Sequence, residues 1–168
     1  MSSNEEYVKA SDLYKKMKES IAESGWSVIS TSSEEENITY SYTVGIYETY
    51  GLPEFVVVGL SQDVACSIIV EMVERIENGE TLETMKRYKS THKEYEDDEF
   101  ILIDIHEDRK KALMLIMDAY YGFSFDDVKV MQILWQDDNN RYPFQHACDD
   151  EAIRAQQLLG IVEMARLR

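Results

Sequence analysis

Apolar residues first recur at spacings of three and four. Tyr7, Ala10, Leu13, Tyr14, Met17 and Ile21 line one side of a helix predicted over residues 5–24, and Gly25 stands where helices commonly end. From Trp26 to Thr31 the period changes to two, with Trp26 and Val28 set against Ser27 and Ser30, which predicts a short strand. After a charged turn over 32–37, Ile38, Tyr40, Tyr42, Val44 and Ile46 share one side of a second strand, while Thr39, Ser41, Thr43 and Gly45 share the other. This small, polar side is expected to stay open. Gly51-Leu52-Pro53 breaks the pattern, and the β-branched run Phe55–Leu60 predicts a central strand covered on both faces.

Ser61 is placed to cap a helix whose stripe is Val64, Ala65, Ile68, Ile69, Met72, Val73 and Ile76, with Asp63 in its first turn and Gly79 at its stop. The polar stretch 80–98 predicts one short edge strand near Met85–Tyr88. Phe100–Ile105 reads as a strand, and Glu107–Tyr121 as a helix with Ala112, Leu115, Ile116 and Ala119 facing inward. Val128–Trp135 reads as a strand, Asp137-Asp138-Asn139-Asn140 as a turn, and the stretch from Asp149 or Asp150 through Leu159 as a last helix. Residues 161–168 form a tail. Strands and helices interleave without regular alternation. The expected class is therefore α+β, with about five strands, largely antiparallel or mixed, and three to four packed helices. No repeat or Gly/Pro-rich linker divides the 168 residues, so one domain over 1–168 is expected.

Charge narrows the function. With 33 acidic and 17 basic residues the formal charge is −16, and such a surface repels polyanions. Direct nucleic-acid binding, which rests on clustered Lys and Arg, and an anionic membrane are thereby disfavoured. The run Glu94, Glu96, Asp97, Asp98, Glu99 is read as a solubility feature, with a mimic of the phosphate backbone or a surface for a basic protein as the sharper alternatives. No apolar run approaches the roughly 20 residues of a membrane span, the acidic N-terminus is unlike a signal peptide, and two cysteines fit a reducing cytoplasm. A homodimer stays open.

The sets that carry catalysis are not assembled in the sequence. His146-Ala147-Cys148 is the closest ligand pair among His92, His106 and His146, without the second pair of a structural zinc site, so no metal and no cofactor is expected. Cys66 falls mid-helix, where a thiol is normally packing, and Cys148 beside His146 is read the same way. Nucleophile-elbow and phosphate-loop patterns are missing too. What remains suits holding more than cutting. A ligand-binding set of Tyr42, Thr43, Gly45, Glu54, Trp135, Arg141 and Tyr142 is expected to form a groove, because glycine leaves room beside a strand and Arg and Tyr are favoured anchors. Two alternatives accompany it: a structural Glu54–Arg141 ion pair, and a hydrolase or transferase with Glu54 as general base and Arg141 stabilising negative charge.

The order of motifs also resembles a known family. Gly25-Trp26-x-Val28, Tyr42-Thr43-Val44-Gly45-Ile46, Gly51-Leu52-Pro53-Glu54-Phe55 with Gly59-Leu60, Ala119-Tyr120-Tyr121-Gly122, Val130–Trp135, Arg141-Tyr142-Pro143-Phe144 and Gln156–Gly160 together resemble, over about residues 20–160, the bacterial and phage family called domain of unknown function 4262. Phe144 stands where that family has tryptophan, Gln145 where an acid commonly follows, and Asn139-Asn140 where it often has a glycine turn. The resemblance implies a fold and a motif-bearing face, not an activity. The function expected from residues and resemblance together is a non-catalytic acidic recognition domain for a protein or small polar ligand. An inhibitor in phage–host conflict is one version of it.

Overall fold

The computed structural model describes residues 3–33, 35–92 and 97–168. Met1, Ser2, Glu34, Glu94 and Glu96 fall outside the described residues, as does the Tyr7 side chain. Helix α1 (Ser3–Ser24) leads into strands β1 (Ser27–Ser33) and β2 (Ile38–Val44), a short helix α2 (Ile46–Tyr50), strand β3 (Glu54–Val58) and helix α3 (Gln62–Glu77). Strands β4 (Arg87–Lys89) and β5 (Glu99–Asp104) follow, then helices α4 (Glu107–Leu113) and α5 (Leu115–Tyr121), a 3-10 segment (Gly122–Asp127), strand β6 (Val130–Leu134) and helix α6 (Asp150–Ala155). The six strands run in the order β1-β2-β3-β6-β5-β4. Every pairing is antiparallel except β3 with β6, which is parallel with Glu54 opposite Val130. The domain is α+β with a mixed sheet, one strand richer than expected. No described helix is long and apolar enough to cross a membrane.

Alternation along the strands makes two cores. Ile38, Tyr40, Tyr42, Val44, Val56 and Val58 face α1 and the α4–α5 pair, joined by Met17, Met114 and Met117. Phe55, Val57, Leu102, Met131 and Ile133 face α3, whose Ala65, Ile68, Ile69, Met72 and Val73 are the predicted stripe. A third cluster, Met85, Ile101, Ile103, Leu134 and Tyr142, lies toward the β4 edge.

Four expectations are corrected by the structure. The small side of β2 is not open: α3 packs on β2, and Ser41 and Thr43 are fully buried. Small hydroxyl side chains let the helix approach, and they are not left unpaired, since Ser41 bonds Ser30 at 2.8 Å. Ile46 does not continue the strand. Gly45 takes a left-handed φ of 110°, and a Cβ there would stand 2.6 Å from the Gly25 carbonyl oxygen. The turn starts α2 and sends Ile46 into the α3-side core, away from Tyr42 and Val44.

The helix expected over 107–121 is two helices meeting at Met114, whose φ/ψ of −112°/52° are not helical. Inward positions become Lys110, Met114 and Met117, whereas Leu115 is 66% exposed and Ala112 and Ala119 face solvent. Lys110 defeats a hydrophobic-pattern reading: it is fully buried because its ammonium donates to the carbonyls of Phe125 (2.9 Å) and Val128 (2.7 Å) and pairs with Glu107 at 2.8 Å. The last helix likewise stops at Ala155, short of Leu159, and the chain runs on extended to a bridge between Gly160 and Ile105. Among the described residues the helices number six against the three to four expected.

Candidate functional site

The motif residues gather at opposite ends of the parallel β3–β6 pair. At the starting end lies Glu54, fully buried. Its Oε2 accepts from the Thr43 hydroxyl at 2.5 Å, and its Oε1 accepts from the backbone N–H of Gly45 (2.9 Å) and Tyr47 (3.0 Å) and from the Tyr121 hydroxyl at 2.5 Å. The Thr43 oxygen in turn accepts from the Phe55 N–H at 2.8 Å. Glu54 thus closes the β2–α2 turn from inside and ties it to α5 through Tyr121. Tyr47 and Tyr120 pack edge-on against the Tyr121 ring. Burial raises the Glu54 pKa above the ordinary carboxylate range, opposed by the bonds from Thr43, Tyr121, Tyr47 and Gly45. Burial, with the Glu54 charge second, pushes the Tyr121 phenol up as well. Tyr42 is buried against the α1 side.

A raised folded-state pKa fixes the sign of a pH effect. Between the unfolded value and the higher folded one the native state holds a proton that the unfolded chain has lost, so this contribution to stability falls as pH rises through that window. Urea unfolding of the wild type and of Glu54→Gln across pH 4–8 isolates it. The stability of the wild type relative to the variant is expected to decline as pH rises above the ordinary value of 4.5. A difference independent of pH over that range contradicts it.

Arg141 and Tyr142 are not brought to this end. β6 runs five residues away from Val130 to Leu134, about 16 Å at strand rise, before their loop begins. Arg141 donates its guanidinium to the Ala147 carbonyl at 2.5 Å, and no ion pair joins it to Glu54 among the described residues. Asp137 organises the loop. Its carboxylate accepts from the N–H groups of Asn139, Arg141 and Asp149 at 2.8–2.9 Å. Burial pushes its pKa up, but the Asp149, Arg141 and Asn139 N–H groups together outweigh that and leave it lowered. Tyr142 is fully buried and stacked on Phe144. Burial, then the hydrogen bond and charge of Asp137, push the buried Cys148 thiol up, and its Sγ donates to the Arg141 carbonyl at 3.6 Å. The expected groove from Thr43 to Arg141 is therefore replaced by two separate places. Both Glu54 and Arg141 are tied into the scaffold.

At the far end stands Trp135, half-buried and held at three points. Its indole N–H donates to the Val58 carbonyl at 2.8 Å. Gln156, itself buried, accepts from the Trp135 backbone N–H at 2.7 Å and donates to its carbonyl at 2.9 Å. Gln132, three residues earlier on β6, ties the other way, its side chain donating to the Gln157 carbonyl and accepting from the Leu159 N–H. Beside the fixed ring opens a cleft of about 220 Å³ walled by α3, with Leu60, Val64, Ile68, Phe100 and Trp135 as apolar lining and Glu71, Asp98 and Asp138 as carboxylates. Glu71 is neutralised by Arg75 at 3.1 Å. Asp98 and Asp138 have no cation within bridging distance among the described residues. Burial, then neighbouring Asp97, raises the Asp98 pKa.

Comparison with known families matches residues 20–149 to the family described as domain of unknown function (DUF4262). The chain belongs to this family. No curated protein and no solved structure matches it. The motifs that carried the resemblance to DUF4262 explain themselves in the fold: the Tyr-Thr-Val-Gly, Pro-Glu and Tyr-Tyr-Gly segments meet around Glu54, while the Gln132–Trp135 and Gln156–Gly160 segments meet behind Trp135. Of the residues expected to bind, Trp135 lines an open cleft. Asp98, Asp138 and the α3 wall were missed, since charge and stripe positions resemble ordinary solvated and core positions until the fold joins them. Asp97, Asp98 and Glu99 are the described part of the acidic run.

Proposed function

We propose that this domain is a recognition module that takes a positively charged, partly apolar group of its ligand into the cleft beside Trp135. The observation that carries the reading is a pair of carboxylates, Asp98 and Asp138, with no bridging cation among the described residues, set on an apolar lining next to an aromatic ring that Val58 and Gln156 hold in place. A cation there gains charge pairing and a ring face for cation–π contact while its stem covers Leu60 and Ile68. A fixed wall keeps the ordering cost of binding low. Among the described residues the cleft's hydroxyls are committed, Ser67 donating to the Asp63 carbonyl and Ser90 to the Glu71 carboxylate, which favours holding as its chemistry.

The test is titration with N-acetyl-arginine amide against its neutral isostere N-acetyl-citrulline amide, followed by calorimetry. Arginine is expected to bind at least about tenfold tighter, a difference of ~1.4 kcal/mol. Asp98→Asn should remove most of that preference, and raised salt should weaken what remains. Equal affinity for the two compounds would refute the reading.

A further inference from the structure

Trp135 borders a second cleft, of about 280 Å³. It shares Gln136 and Asp138 with the first but is walled by Gly59 and by Glu151, Ala152 and Ala155 of α6 instead of α3. We infer that the two clefts form one docking surface for an extended peptide segment of a partner protein that carries two basic side chains, one in each cleft, with its backbone crossing Trp135. This rests on the cleft reading above and deepens it to a ligand class.

Three observations carry it. The clefts meet at one ring whose position is fixed from behind, so the ridge between them is rigid. The carboxylates of the second cleft are not all committed inward: Asp137 is spent on three backbone N–H groups and Asp149 caps α6, while Asp138 and Glu151 are exposed and have no bridging cation among the described residues. The walls are also close-set. A Cβ on Gly59 would collide with the Ala155 carbonyl, so α6 seats directly on the end of β3 and the second cleft has a backbone floor where the first has side chains. A single small amine satisfies one cleft and leaves the other charged. A peptide with two cations answers both, and the second contact then gains from being intramolecular.

Peptides holding two arginines separated by one to four glycines, compared with N-acetyl-arginine amide, test this on the full chain by calorimetry. One spacing is expected to bind at least about tenfold tighter than the single arginine, and Glu151→Gln should erase that gain while leaving the single-arginine affinity unchanged. Glu19→Gln, on α1, should change neither. If no spacing exceeds the roughly twofold statistical gain, the two-cleft surface is wrong and the single cleft stands. If neither probe binds, both fall. An equal loss in Glu19→Gln and Glu151→Gln would mean diffuse attraction to a −16 surface, and also overturns the inference.

Discussion

Glu54→Ala is expected to lower unfolding stability by about 3–5 kcal/mol, a drop of roughly 6–20 °C in Tm for a domain of this size, read by calorimetry or urea denaturation. The physical reason is not the charge. Burying an ionised carboxylate opposes folding, which is why the Glu54 pKa is raised. What alanine removes is the acceptor of four donors. Tyr121 is half-buried, and the Gly45 N–H keeps its hydroxyl at 3.0 Å as a second partner. The Thr43 hydroxyl has no such alternative, because β2 is covered on both faces at that point. A cavity adds its own cost. Glu54→Gln should therefore lose only about 1–2 kcal/mol, since the amide oxygen can keep the three donors on the Oε1 side and its NH₂ can turn to the Thr43 oxygen. A small loss in Glu54→Ala would detach the carboxylate from the scaffold and return it to candidate chemistry.

Much of this arrangement was legible in the chain. The α3 stripe, the continuous β3 run and the period-two β2 pattern each report a face against a neighbour, and burial of Ile69, Val57 and Tyr42 follows directly. The pattern could not say what covered the small side of β2, because Ser41 and Thr43 look the same whether they face water or a helix that comes close. Glu54 and Lys110 are the sharper lesson. Both are charged residues in the core, and hydropathy assigns such residues to the surface; only the donors and carbonyls brought by distant segments make the positions tenable. The Trp135 cleft illegibly combines α3, the loop before β5 and the end of β6, which are joined by strand order alone. Sequence motifs marked the residues that hold Trp135 but not the carboxylates that surround it.

That hold on Trp135 can be inverted with one atom. In Gln156→Glu the side-chain volume is kept and the Trp135 N–H still finds an acceptor, but the group facing the Trp135 carbonyl changes from donor to acceptor. With the carboxyl ionised, a buried negative oxygen opposes a carbonyl oxygen at hydrogen-bond distance, and a loss of about 3–5 kcal/mol is expected at pH 7. The protonated acid can donate to that carbonyl and restore both bonds, so its folded pKa must lie above the unfolded value. Stability is then recovered below the ordinary carboxylate range and lost as pH rises through the folded pKa. Urea unfolding of Gln156→Glu at pH 4 and pH 7, each against the wild type at the same pH, reads this directly, and near-equality at the lower pH is the expected result. Arginine binding should follow the same course, weak at neutral pH in the variant even where it remains folded, because the ring that walls the cleft is no longer fixed. A variant that is as stable as the wild type at pH 7, or equally damaged at both, would mean that Gln156 does not hold the Trp135 backbone as described.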